Sequence, residues 1–91
     1  MRKELIKSIA YVKVSKYRTN VLLSIDKELK MPSEIAKETN IRINHVSKAL
    51  KELKKEELVE CMNEETKKGR LYKTTEKGKE IIKVISKKRN K

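Results

Sequence analysis

The spacing of apolar residues changes period along this chain, and that change restricts the fold more than any other feature. From Leu5 to Leu53 apolar positions recur at three- and four-residue steps, as they do on one face of a helix. Beyond Leu58 two short β-compatible runs, LVECMN and RLYKTT, flank the polar loop EETKKG with its turn-forming glycine, and the pair reads as a hairpin. Thr75 then stands as the N-cap of a closing helix that carries Ile81, Ile82, Val84 and Ile85. Helices, a hairpin and a last helix define a mainly α fold with a small β-hairpin, α+β in class. With 91 residues, no internal repeat, no linker and one proline, the chain is expected to form one domain over residues 1–91.

Within that order, Leu5, Ile6, Ile9 and Val12 suggest a first helix over about residues 3–12, while the β-branched run to Val14 also permits a strand. Ser15 can cap a second helix reaching about Leu29, with Val21, Leu22, Ile25 and Leu29 as its apolar stripe. Pro32 suits the first position of a third helix, and Glu34 in its opening turn complements the helix dipole. Asn40 tolerates the left-handed conformation that would end this helix in a tight turn. The fourth helix runs over about 43–55 and the last over about 76–88.

Charge points to the partner. The chain carries 25 Lys and Arg against 13 Asp and Glu, a formal net charge of +12. Such an excess repels itself unless an anionic partner is engaged, and nucleic acid is the commonest such partner. Surface ion-pair networks of heat-adapted proteins explain many charges but not their imbalance. Proteins that grip single strands usually stack bases on several rings. Tyr11, Tyr17 and Tyr72 are the only aromatic residues, so the composition favours a reader of duplexes.

Other classes are set aside on composition. Cys61 is the sole cysteine and His45 the sole histidine, so neither an internal disulfide nor a zinc-ligand set is expected, and no cofactor is implied. Cys61 is expected as a small buried residue of the first hairpin strand, and Tyr72 as part of the core. No Ser/His/Asp set or glycine-rich phosphate loop is present, so the chain is not expected to be an enzyme, and no motif identifies a small-molecule effector. No apolar run approaches membrane length and no signal-peptide h-region opens the chain, which leads to the expectation of a soluble, cytoplasmic protein with no membrane partner.

The segment from Ser15 to Ile82 resembles the winged helix-turn-helix of MarR- and ArsR-type transcriptional regulators, particularly the small archaeal members. The resemblance rests on Ala36, Asn40, Ile41, Val46 and Ala49 at that family's helix-turn-helix spacing, on VSKALKELKKEELV as the recognition-helix ending, and on GRLYKTTEKGKE as the second wing strand and Thr-capped helix. It implies a helix-turn-helix over about 33–55 and a wing over about 58–74. Two residues depart from the pattern. Glu57 stands where the family usually has glycine, so the fourth helix must end with a non-glycine residue in the left-handed region or end another way. Arg42 stands where a small polar cap is common, so the recognition helix should start poorly capped and more basic.

The opening of that helix, in NIRINHVSKALKEL, carries an unusual polar set. In helix-turn-helix docking the N-terminal residues of the recognition helix approach base edges in the major groove. Asn44 offers an amide suited to adenine, Arg42 and Lys48 can donate to guanine or phosphate, and His45 can donate or accept. Ser47 and Lys51 are expected on the backbone. In the wing, over 63–71, Lys67, Lys68 and Arg70 should meet backbone or minor groove, Arg70 being best suited to a narrow minor groove, with Glu64 and Glu65 facing away. The duller reading of each is a solvated surface residue. The apolar residues Leu5, Ile9, Ile81, Ile82 and Ile85 exceed what one small core needs, and the resemblance implies a homodimer through the terminal helices. A winged-helix protein-interaction module of the transcription machinery is the alternative function, and it would show an apolar recognition face.

Overall fold

Ser15, Pro32 and Thr75 start three of the five helices in the computed structural model, which describes residues 3–26 and 28–89, with side chains through residue 86. The order is α1 (Lys3–Lys13), α2 (Lys16–Ile25), α3 (Pro32–Thr39), α4 (Ile43–Lys55), β1 (Val59–Cys61), β2 (Tyr72–Thr74) and α5 (Glu76–Arg89). Ser15 Oγ accepts the Arg18 N–H at 3.2 Å, and Thr75 Oγ1 accepts the Gly78 N–H at 3.0 Å. Glu34 reaches back to the Met31 N–H at 2.8 Å, tying the opening of α3. The N-terminal segment is a helix, not a strand.

Two residues outside the glycine class hold the turns around α4. Asn40 ends α3 at φ 60°, and the Ile41 N–H closes back on the Ala36 carbonyl at 3.3 Å. Glu57 follows α4 at φ 63°, and the Leu58 N–H reaches the Leu53 carbonyl at 2.9 Å. Both follow the helix-ending pattern in which a left-handed residue lets the next N–H satisfy an orphan carbonyl.

Helix α2 is shorter than the apolar spacing suggests. It stops at Ile25, and Asp26 takes φ 38°. Lys30 then pairs with Tyr72 through two backbone bonds of 3.0 and 2.9 Å, while Thr74 Oγ1 donates to the Asp26 carbonyl at 2.8 Å. These bonds fasten the α2–α3 connection to the hairpin and leave Leu29 half exposed, not in the stripe. Strands β1 and β2 pair antiparallel with Val59 opposite Thr74 and Cys61 opposite Tyr72. Cys61 is half-buried, not fully covered as expected, and Tyr72 packs against the core from its edge.

The core joins Val21, Leu22 and Ile25 of α2 to Ile35 of α3, Val46, Leu50 and Leu53 of α4, Leu58 and Val59 at the wing root, and Ile81 and Ile85 of α5. The terminal helices close on this core from within the same chain, α1 packing against both α2 and α5. Leu5, Ile81, Ile82 and Ile85 are 8%, 0%, 6% and 3% exposed, so one chain already covers four residues expected to need a second. Ile9 is partly buried against the same core.

Candidate nucleic-acid interface

Helix α4 turns Val46, Ala49, Leu50 and Leu53 into the core, so the positions between them must face outward. Arg42, Ile43, Asn44, Ser47, Lys48 and Lys51 are all exposed. Among these only Ile43 is apolar, which does not suit a protein-docking face. Arg42 occupies the N-cap position without a side-chain capping bond, so the first N–H groups of α4 stay open at its positive end.

The wing stands beside this face. A groove of about 350 Å³ runs between them, bordered by Ser47, Lys51 and Lys54 of α4 and by Lys67, Gly69 and Arg70 of the wing, above Leu50 and Tyr72. Lys54 crosses to Glu64 with an N–O distance of 2.7 Å. Hydrogen bonding in this pair holds the Glu64 carboxyl below, and the Lys54 ammonium above, their ordinary ranges, so both stay charged at neutral pH. Glu64 thus turns toward α4 and does not face away as the charge argument suggests. The pair removes one carboxylate from the repulsion that a polyanion would meet.

Two expected contact residues are engaged within the chain. His45 is half-buried and stacks on Tyr17 of α2, with centroids 4.6 Å apart and planes 17° from parallel. Arg70 donates from Nε to the Thr66 carbonyl at 2.7 Å and from Nη2 to the Glu64 carbonyl at 3.1 Å. In contrast, Arg42, Asn44, Ser47, Lys48, Lys51, Lys67 and Lys68 have no side-chain hydrogen bond or ion pair among the described residues.

Acids near the face are drawn to other cations. Glu52 on α4 receives Arg18 of α2 at 3.0 Å, and Arg18 also donates to the Tyr11 carbonyl at 2.7 Å while lying 3.8 Å over the Tyr11 ring. Glu38 on α3 is held by Lys30 and Ser24, which lower its carboxyl below the usual range. Tyr17, absent from the residues singled out by sequence, joins the α4 surface through His45. Its only sequence signal is an aromatic ring in the first turn of a helix.

Along residues 15–91 the chain matches the winged helix-turn-helix family, and it belongs to that family. Among solved structures it is similar to TubR from Bacillus thuringiensis serovar israelensis, in a complex with 24 bp of tubC, at TM-score 0.78 and 10% identity over 92% of this chain and 94% of that one. It is also similar to a mutant form of ZitR from Lactococcus lactis, at TM-score 0.71 and 23% identity over 80% of this chain, and spans 51% of that one. No curated protein matches the chain. Among the described residues no helix is long and apolar enough to cross a membrane, and no cluster of His, Cys, Asp and Glu could hold a metal.

Proposed function

We propose that this winged helix is a sequence-specific, double-stranded DNA-binding transcriptional regulator of the MarR- and ArsR-like class. The reading rests above all on one observation: the first half of α4 and the wing tip present exposed polar and basic side chains that have no partner among the described residues. A helix placed in a major groove satisfies such groups with base edges and phosphates. The 24 bp of tubC bound by TubR support duplex DNA as the ligand class. In this reading Arg42, Asn44 and Lys48 meet base edges, while Ser47, Lys51, Lys67 and Lys68 meet the backbone.

Reading and gripping separate by mutation. Asn44→Ala or Lys48→Ala is expected to cost about 1–3 kcal/mol on the preferred site and much less on random DNA, whereas Lys67→Ala or Lys68→Ala weakens both alike. Selection from random duplexes followed by anisotropy titration measures this, and equal losses on both DNAs for Asn44→Ala would rule it out as a base reader.

The functional form in this proposal is a homodimer. Its interface is the outer face of α1, because Leu5, Ile81, Ile82 and Ile85 are spent on the chain's own core. Ile6 is 52% and Val14 78% exposed, with exposed Ala10 between them at four-residue steps. The Val14 N–H still bonds the Ala10 carbonyl at 3.1 Å, so the stripe continues past the end of α1. A two-fold dimer would set two recognition helices about 34 Å apart over a palindromic site. Sedimentation at micromolar concentration should give twice the 10.7 kDa chain mass, and Ile6→Glu with Val14→Glu should give monomer. A wild-type monomer at every concentration contradicts this assembly.

A further inference from the structure

The wing loop is held shut by its own side chains. Asn63 Oδ1 accepts the Leu71 N–H at 2.8 Å, and Asn63 Nδ2 donates to the Gly69 carbonyl at 3.1 Å. Thr66 donates to the Asn63 carbonyl through both its hydroxyl, at 3.0 Å, and its N–H, at 3.1 Å. Arg70 spans the same loop from the other side, bonding the Thr66 and Glu64 carbonyls. The Met62 N–H closes the base on the Leu71 carbonyl at 2.8 Å, and the Glu64–Lys54 pair docks the loop on α4.

This arrangement conflicts with Arg70 as a minor-groove probe. To enter a groove the guanidinium would release two carbonyls and open the loop that carries Lys67 and Lys68. Arg70 is the wing's only arginine, and the remaining cations at the tip are Lys67 and Lys68, exposed and without a partner among the described residues. A lysine ammonium is a compact point charge that suits a phosphate and sheds its water to enter a narrow groove less readily than a guanidinium. We infer that the wing is a preformed phosphate clamp that does not read sequence, with Lys67 and Lys68 as its contacts and Asn63 and Arg70 as positioning residues.

The inference rests on the DNA-binding reading and deepens it: all sequence discrimination falls to α4. It also separates charge from position. A contact residue changes the salt dependence of binding by the one phosphate it neutralises. A positioning residue changes it by the contacts it places, whatever its own charge.

The test is a set of salt titrations on duplex DNA with the full chain. Lys67→Ala and Lys68→Ala should each lower the magnitude of the log-log salt slope by about 0.9 per bound chain, so by about 1.8 for the dimer. Arg70→Ala should lower it by about 1.8 per bound chain, twice what one lost charge per chain allows, and the neutral change Asn63→Ala should lower it as well. In a Lys67→Ala, Lys68→Ala background, Arg70→Ala should have no further effect. Exchanging A·T for G·C pairs beneath the wing should leave Kd within about twofold, since no wing group reads base edges. Additive loss of about 0.9 per bound chain for Arg70→Ala, or a shift of about tenfold on base-pair exchange, would overturn the clamp and restore Arg70 as a direct contact. Hydrogen exchange of the free protein keeps the two readings apart. The Leu71 amide should be protected in the wild type and exchange faster in Asn63→Ala. Duplex binding with an unprotected Leu71 amide overturns the clamp alone, and a wild type that binds no duplex overturns the clamp together with the DNA reading.

Discussion

Gly78→Ala should lower the thermal unfolding midpoint by at least about 12 °C, the equivalent of about 3 kcal/mol or more from forced overpacking in a domain of this size. The first turn of α5 crosses the chain at Leu58 so closely that a Cβ on residue 78 would lie 2.1 Å from the Leu58 carbonyl oxygen and 3.1 Å from its carbon. These are backbone atoms, and their surroundings hold them in place. The Leu58 carbonyl accepts the Thr75 N–H at 3.0 Å, the Glu57 carbonyl accepts the Thr75 hydroxyl at 2.7 Å, and the Leu58 side chain is fully buried. Glu57 before it sits at φ 63° and Val59 after it enters β1, so neither neighbour can swing aside without breaking α4 or the hairpin. Gly69→Ala is the control. Its φ is 68°, but the nearest atom to an added Cβ is Met31 Sδ at 3.9 Å, so it should cost only about 1 kcal/mol of backbone strain. Far-UV circular dichroism melts of the two variants distinguish them, and a small, equal shift in both would show that the α5–Leu58 approach can relax.

Features governed by neighbours in sequence were legible in the sequence, and those governed by distant neighbours were not. Ser15, Pro32 and Thr75 mark helix starts through bonds or dihedrals that span three residues, and Asn40 marks the end of α3 through a turn of similar reach. The hairpin was equally plain, because its two apolar runs flank a polar loop ending in Gly69. The end of α2 was hidden, since it depends on Lys30 finding Tyr72 across the fold, and the period of Ile25 and Leu29 says nothing of that partner. Gly78 gives no signal for the same reason: a lone glycine in a helix has no local signature of the Leu58 backbone it lies against.

At the candidate interface the outward positions of α4 follow from its apolar period, so Asn44, Ser47, Lys48 and Lys51 could be placed from the sequence. His45 and Arg70 look the same as these in the sequence. Their availability is decided by Tyr17 and by the carbonyls of Glu64 and Thr66, contacts that depend on how α2 lies against α4 and how the wing loop folds. The terminal helices teach a related lesson. Counting apolar residues there suggests an excess, but α1 and α5 pair with each other and enlarge the core of a single chain.

Duplex affinity measured by fluorescence anisotropy between about 50 and 200 mM salt tests most directly whether the unpaired cations of α4 and the wing form a DNA face. If about six phosphates are neutralised, log affinity should fall against log salt with a slope near about −5, so binding weakens about a thousandfold over that range. The single strand of the same sequence should bind more weakly at each salt concentration, because three tyrosines supply few platforms for unpaired bases. A flat salt response, or tighter binding to the single strand, would contradict the assignment of this face to duplex DNA.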